Sequence, residues 1–450
     1  MGEHGFLARA ARFFDSLCCR PTPDADPDDD STLVEYDAVC HIKSLPDPVL
    51  GAIFKLSKRA AQEAPVERVV SHVSAHWRGV ALCSPELWAA IDAHGSAENQ
   101  RELLHWYLSK SAGHPLDVRI ALSQESWAGG AGPLLLADVL ADATRLRSLS
   151  IHADFLGADA AVRALCRSVC APRLERLTFI FLEQPLSDLD IIVAEDFSPA
   201  VFTGGAPQLA VLRLQHLEQA LFPPLEGVTT LHLEEYTCPP MAYSRFCALL
   251  RALPALANLS VYGDVVASWS ATADIRLPQL RSLRVARSAQ AGRMLLSLDA
   301  RALTSLFLKD IRDAALTAFW MGLERAEDLR FPALQILSLD GPMGARALAP
   351  LLLEFSGVTE LRLVNCDADD ALGMLNSWAD GPRSVLVHRV RDVSALDRLS
   401  TRGVAMNVHC DVAWGRAGIK KWERLAPWPA ELDRADADDL FMQLRNAPVI

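Results

Sequence analysis

A triplet of apolar residues spaced Leu-x-x-Leu-x-Leu recurs along this 450-residue chain, and no other feature restricts its possible folds as much. It reads Leu146/Leu149/Ile151, Leu174/Leu177/Phe179, Leu209/Leu212/Leu214, Val228/Leu231/Leu233 and Leu256/Leu259/Val261. It continues as Leu280/Leu283/Val285, Leu303/Leu306/Leu308, Leu334/Leu337/Leu339 and Val358/Leu361/Leu363, and weakens at Pro382/Val385/Val387. First positions lie 19 to 35 residues apart, about 26 on average. A proline often stands two residues ahead, as Pro172 in APRLERL, Pro278 in LPQLRSL and Pro332 in FPALQIL. One such triplet means little in a leucine-rich chain, but ten in phase do.

The last two apolar positions, two residues apart, point to one side of a short strand, and the residue between them points to the other. Stretches between triplets, such as AYSRFCALLRAL at 242–253 and ARALAPLLLEF at 345–355, have helix-forming composition and would return the chain to the start of the next strand. No unit can bury its leucines alone, so successive units must stack, and the period is that of leucine-rich repeats. The expected fold is therefore α/β: a solenoid over 113–410 with a parallel sheet on its concave side and helices on its convex side.

Residues between the paired leucines, Ser150, Thr178, Arg213, His232, Ser260, Arg284, Phe307, Ser338 and Arg362, are expected to line the concave face. Three are Arg and none is acidic, in a chain of net charge −12. That pattern suits a target protein that is acidic or phosphorylated, recognised through bidentate contacts. Arg213, His232, Arg284, Phe307 and Arg362 are the candidate partner-binding residues. The plainer reading, that these arginines merely solvate the sheet, stays open beside it.

Half of the residues are apolar and 22% are charged, which is enough to bury a large core. With 56 acidic against 44 basic residues, nucleic acid is a poor partner, since such binding relies on clustered cations. The ten cysteines are scattered and form no paired zinc framework, even where Cys18 adjoins Cys19 and Cys166 lies near Cys170. They fit reduced thiols of a cytoplasmic or nuclear protein. Arg9, Arg12 and Asp15 interrupt the opening residues, so neither a secretory signal nor a membrane partner is expected. Phe6 stands where a myristoylation signal needs Ser or Thr.

Residues 1–40 are expected to be a tail whose first part forms an amphipathic helix, followed by the acidic linker PTPDADPDDDST at 21–32. Residues 411–450, with Trp414, Trp422 and Trp428, are expected to cap the last repeat. Residues 41–112 carry helical periodicity. In SLPDPVLGAIF, Val49, Leu50, Ile53 and Phe54 make one stripe, with Pro46 and Pro48 in the opening turn, where amide hydrogens lack intrahelical partners. Val66, Val69, Val70, Val73, Trp77 and Val80 predict one helix of four turns ending at Ser84-Pro85.

The motifs Leu45-Pro46-Asp47-Pro48-Val49-Leu50 with Ile53-Phe54, then Val73-Ser74-Ala75-His76-Trp77-Arg78, then Ser84-Pro85-Glu86-Leu87-Trp88 agree in order and spacing with one known family. This small all-α module resembles an F-box, in the version found with irregular leucine-rich repeats in mushroom-forming fungi. Trp106-Tyr107-Leu108 and Gly113-His114-Pro115-Leu116 resemble the segment leading to the first repeat strand. The resemblance implies that Leu45, Pro46, Val49, Leu50 and Ile53 dock onto the Skp-type adaptor of a cullin-RING ubiquitin ligase, while the solenoid holds the protein to be modified. Pro48 replaces a frequent Glu, Ala75 and His76 replace frequent basic residues, and the repeats lack a regular Asn ladder, with Asn365 the nearest approach.

Elsewhere the chemistry is sparse. His72 and His76 lack the Glu of a zinc-protease helix, Val73 standing in its place. Gly129-Gly130-Ala131-Gly132 lacks the ending of a phosphate loop and reads as a turn, and Asn258-Leu259-Ser260 falls within a strand. No nucleophile elbow is present. The chain is expected not to be an enzyme and to use no cofactor or metal. The competing classes are a repeat scaffold without ligase association and a hydrolase hidden in the repeats.

Overall fold

A computed structural model describes residues 45–60, 65–94, 99–154, 158–181, 199–215, 222–234, 240–270, 275–323, 331–341, 355, 357–364, 384–388 and 405–409. The tail and acidic linker, Cys18 and Cys19, most of the helix expected at 345–355, Asn365, Pro382 and the capping tryptophans lie outside the described residues. Those described divide into two compact units, one within Met1–Ala93 and Ala97–Val118 and the other within His94–Ser96 and Arg119–Ile450. The architecture is α/β.

The first unit opens with the helix Asp47–Ala60, whose first turn hangs on the Pro46 carbonyl, an acceptor for the amides of Val49 and Leu50 at 2.9 and 3.0 Å. Its inner side carries Leu50 and Phe54, both fully buried, with the Phe54 ring 5.0 Å from that of Trp77. The single helix predicted from Val66 to Val80 is two, Val66–Val73 and Ala75–Leu82. Ser74 separates them in an extended conformation (φ −156°, ψ 165°), and its hydroxyl accepts the amide of Trp77 at 3.1 Å. A serine that caps the following helix in this way outcompetes helix continuation, and a 3.6-residue period does not register it. Val66, Val70, Trp77 and Val80 are buried, whereas Val73, beside the break, is 53% exposed.

A short 3-10 turn, Pro85–Trp88, follows and buries Leu87 and Trp88. The Trp88 indole donates to the Ala81 carbonyl at 2.9 Å and meets Trp106 and Tyr107 edge-on, both on the helix Gln100–Lys110. Glu67 is buried among these elements. Tyr107 donates to its Oε1 at 2.6 Å, and Lys58 Nζ lies 2.9 Å from its Oε2 while donating to the carbonyls of Leu87 and Ala90. Burial, reinforced by the Glu67 carboxylate, pushes the Tyr107 hydroxyl well above its ordinary pKa. Two strands, β1 (Ala90–His94) and β2 (Leu116–Leu122), contribute residues to both units.

The second unit is built on eleven parallel strands: β3 (Leu146–Ala153), β4 (Arg176–Phe181), β5 (Val211–Gln215), β6 (Thr230–Glu234), β7 (Asn258–Tyr262), β9 (Ser282–Ala286), β11 (Ser305–Lys309), β12 (Ile336–Asp340), β13 (Glu360–Val364), β14 (Ser384–His388) and β15 (Ala405–His409). Two-residue strands β8 (Ile275–Arg276) and β10 (Leu298–Asp299) pair separately. Within the main sheet each strand lies beside its predecessor and its successor, the topology of a solenoid-like α/β fold. Ten strands coincide with the ten apolar triplets. The eleventh, β15, has Gly403, Met406 and Val408 in the triplet positions, too weak a pattern to read in advance.

The register is uniform. Leu149, Leu177, Leu212, Leu231, Leu259, Leu283, Leu306, Leu337, Leu361, Val385 and Met406 are successive partners across the sheet, and from Leu149 to Leu361 each of them is buried. A β-turn precedes each main-sheet strand from β4 to β13. In these turns Leu174, Leu209, Leu256, Leu280 and Leu334 donate to the carbonyls of Ala171, Ala206, Leu253, Leu277 and Phe331, at 3.1 to 3.2 Å. Pro172, Pro207, Pro254, Pro278 and Pro332 occupy the second turn position, where the fixed φ of proline is already correct. That is why prolines precede the leucines by two residues. The turn-opening residues are buried too and form a further apolar ladder, which includes the Phe331–Phe355 ring pair at 6.3 Å. Among the described residues no helix is long and apolar enough to cross a membrane.

Candidate functional site

Strand alternation gives the sheet an apolar and a polar side. Register places Ser150, Thr178, Arg213, His232, Ser260, Arg284, Phe307, Ser338 and Arg362 in one continuous row, followed by Leu386 and Asn407. The expectation that this row presents open cations to an anionic target is corrected in two respects. Arg213, His232, Phe307 and Arg362 are only 4 to 8% exposed, so they neither solvate the sheet nor stand free for a ligand. Arg213, His232 and Arg362 also have carboxylate partners within the protein.

The partners stand two residues along from this row, on the same strand for His232 and Arg362 and on the neighbouring strand for Arg213, and a period of two brings them to the same side. Arg213 donates from Nε and Nη2 to Glu234 Oε1 at 3.0 and 2.6 Å. His232 shares that oxygen through Nε2. Arg362 Nε lies 2.6 Å from Glu360 Oε1, and Lys309 Nζ lies 3.6 Å from Asp340 Oδ2 across β11 and β12. Arg284, half-buried, sits over the Phe307 ring with its guanidinium carbon 5.0 Å from the centroid. Reading a single row showed three arginines and no acid; the neighbouring rows supply Glu234, Asp340 and Glu360.

Glu234 is fully buried. Burial raises its carboxyl pKa, but the His232 and Arg213 contacts outweigh that and hold it below the ordinary carboxylate range. Burial lowers the His232 imidazole, against the pull of Glu234. The cluster is therefore a guanidinium and a neutral imidazole donating to one carboxylate, balanced without outside help. It fits a structural brace better than a reactive group.

In the helical unit the five candidate docking residues separate. Pro46 is exposed, Val49 is 44% exposed, and Leu45 and Ile53 are half-buried. Leu50 is corrected: it has no exposed surface and belongs to the core beneath the helix. Leu56, 62% exposed, was not selected from the sequence, although Val49, Ile53 and Leu56 at spacings of four and three share one side of the helix. That outward stripe is apolar and lies about a third of a turn round the helix from Leu50 and Phe54.

His72 and His76 are exposed and lie on separate helices across Ser74, with His76 Nε2 3.4 Å from Asp47 Oδ1. Gly129 and Gly130 join the helices Gln124–Ala128 and Ala131–Ala141, Gly130 adopting φ +78°. Asn258 Nδ2 donates to Thr230 Oγ1 at 3.0 Å, and burial pushes the Cys166 thiol up to about 12. Among the described residues no group of three or more His, Cys, Asp or Glu side chains is gathered to hold a metal. Compared with known proteins, the chain matches no family model and no curated protein.

Proposed function

We propose that this chain is a non-enzymatic adaptor, in which an F-box-like helical unit docks onto a Skp-type adaptor of a cullin-RING ubiquitin ligase and a leucine-rich-repeat solenoid holds a target protein. The observation that carries the reading is the outward stripe Val49, Ile53 and Leu56, which follows directly on Leu45-Pro46 on the helix Asp47–Ala60. Apolar side chains that stand exposed or half-buried in line on a short helix suit a partner surface. The interior of the same unit is already complete around Leu50, Phe54, Trp77 and Trp88.

The charge of the target stands differently from the sequence expectation. With Arg213, His232 and Arg362 compensated internally, an acidic or phosphorylated target loses the support those residues lent it. The solenoid reading itself rests on the sequential parallel sheet and its aligned leucines.

Copurification of the full chain with a Skp-type adaptor tests the proposal. Capture by the parent chain, lost when Val49, Ile53 and Leu56 are changed together to Ser while the melting temperature is held, supports it. No capture by the parent chain leaves the second class, a repeat scaffold without ligase association. Turnover of model esters or peptides that a single Ser, Cys or His substitution ablates would defeat the non-enzymatic reading.

A further inference from the structure

The polar side of the sheet changes character between β4 and β5. Arg119 on β2, Ser148 and Ser150 on β3, and Arg176 and Thr178 on β4 are half-buried, whereas Arg213, His232 and Ser260 beyond them are buried. All of these residues belong to the second unit. Ser148 is the register partner of Arg176, and Ser150 that of Thr178. At the strand ends the Asp154 amide donates to the Leu122 carbonyl at 3.2 Å, and counting back along β3 and β2 from that bond sets Arg119 beside Ser150. Neighbouring strands are about 4.8 Å apart, so Arg119, Ser150 and Thr178 stand side by side. The three strands carry three arginines against one acid, Asp117, in a chain of net charge −12.

We propose that Arg119, Ser150 and Thr178, flanked by Arg176, bind a phosphate group carried on a serine or threonine of the target protein. This rests on the reading of the solenoid as the part that holds a target. The Nε of Arg119 is buried and has no hydrogen-bond partner among the described residues. A buried donor left unpaired is costly and calls for an acceptor that the fold does not supply. The residue as a whole keeps exposed surface, so the side chain is open to a ligand. A guanidinium takes phosphate oxygens through paired N–H groups, and two hydroxyls on adjacent strands can donate to the remaining oxygen. Ser150 Oγ lies 2.9 Å from Nε2 of the buried His152; with the imidazole donating, the Ser150 hydroxyl proton is left for an anion. A phosphate group offers three strong acceptor oxygens and a charge of about −2, which matches this set of donors better than a carboxylate does.

Titration calorimetry of the full chain with the tripeptide Ala-phosphoserine-Ala, its unphosphorylated form and inorganic phosphate tests the site. The parent chain should bind the phosphorylated peptide more tightly than inorganic phosphate and should not bind the unphosphorylated form. Arg119→Ala should lower the affinity roughly ten- to hundredfold, the worth of charge-assisted hydrogen bonds. Arg119→Lys, which keeps the charge and loses the fork, should fall between the two. Arg301→Ala, which removes an exposed arginine outside these strands, should bind like the parent. Thermal melts establish that the variants are folded, and if Arg119→Ala is not, Arg119→Lys carries the comparison. No binding by the parent chain, or the same loss in Arg301→Ala as in the Arg119 variants, overturns the site. Inorganic phosphate binding as tightly as the phosphorylated peptide overturns the protein-borne source. Adaptor capture does not enter these titrations, so failure of the ligase reading and failure of this site are told apart.

Discussion

Arg213 on β5 donates twice to Glu234 on β6, and the carboxylate that receives it has no exposed surface. The two residues lie on adjoining strands, yet they are not register partners: Arg213 stands opposite His232, and Glu234 opposite Gln215. The guanidinium thus reaches diagonally along the sheet, and the residue it stands opposite reaches the same oxygen. One carboxylate thereby ties two strands and two rows together.

Removing one member of this brace strands the other in a buried position. Glu234→Ala and Arg213→Ala should each cost about 3–5 kcal/mol, the range for breaking a buried ion pair. Replacing both with apolar residues, Arg213→Met with Glu234→Leu, should cost less than the sum of the single changes. Urea midpoints of the four proteins provide the check, and additive losses would show that the pair is not coupled.

Acid should loosen the sheet unit in two stages. The His232 pKa is lowered by folding, so below about 6.5 the unfolded chain takes up a proton that the folded chain resists. The stability tied to neutral His232 is complete above that pH and declines as pH falls toward the folded value. Glu234, also lowered by folding, adds a second loss below the ordinary carboxylate pKa. Stability measured between pH 7.5 and 5 should fall less steeply in His232→Gln than in the parent chain. Equal slopes would remove His232 from the account.

Leu50 and its outward neighbours on the same helix should respond oppositely. Leu50→Ala opens a cavity against Phe54 and Trp77 and should cost about 2–5 kcal/mol. Leu56→Ser should change stability by no more than about 0.5 kcal/mol, as for other surface positions. Thermal melts of the two variants separate the core of the unit from its outward stripe.

The Ser74 cap should be worth about 1 kcal/mol, since its hydroxyl satisfies the Trp77 amide. Ser74→Ala should show that loss in chemical denaturation, and Ser74→Asp, which keeps an acceptor, should retain most of it. An unchanged midpoint in Ser74→Ala would mean that the break survives without its cap.

A tight helix crossing yields a further prediction. A methyl group added at Gly292, on the helix Ala291–Ser297, would run into the Ala315 carbonyl of the helix Asp313–Leu323. Backbone cannot yield as a side chain does, so Gly292→Ala should destabilise by about 1–3 kcal/mol through overpacking. Circular dichroism melts of this variant against Gly79→Ala, whose added methyl meets nothing, give the comparison.

Local spacing determined much of this protein by itself. Apolar residues two apart must lie on one side of a strand wherever the chain is extended, so ten of the eleven sheet strands from β3 onward were readable as leucine triplets, together with the prolines that start their turns. The helix from Asp47 was readable for the same reason. Tertiary structure decided what spacing cannot express. A serine hydroxyl broke the helix at Ser74, and β15 joined the sheet through register despite its weak triplet. The arginines found their acids in rows that meet only when strands align. Periodicity reports which side a residue faces; burial and partnership depend on what the rest of the chain brings to that side, and that is why Leu50 and Arg213 changed roles while the leucine ladder did not.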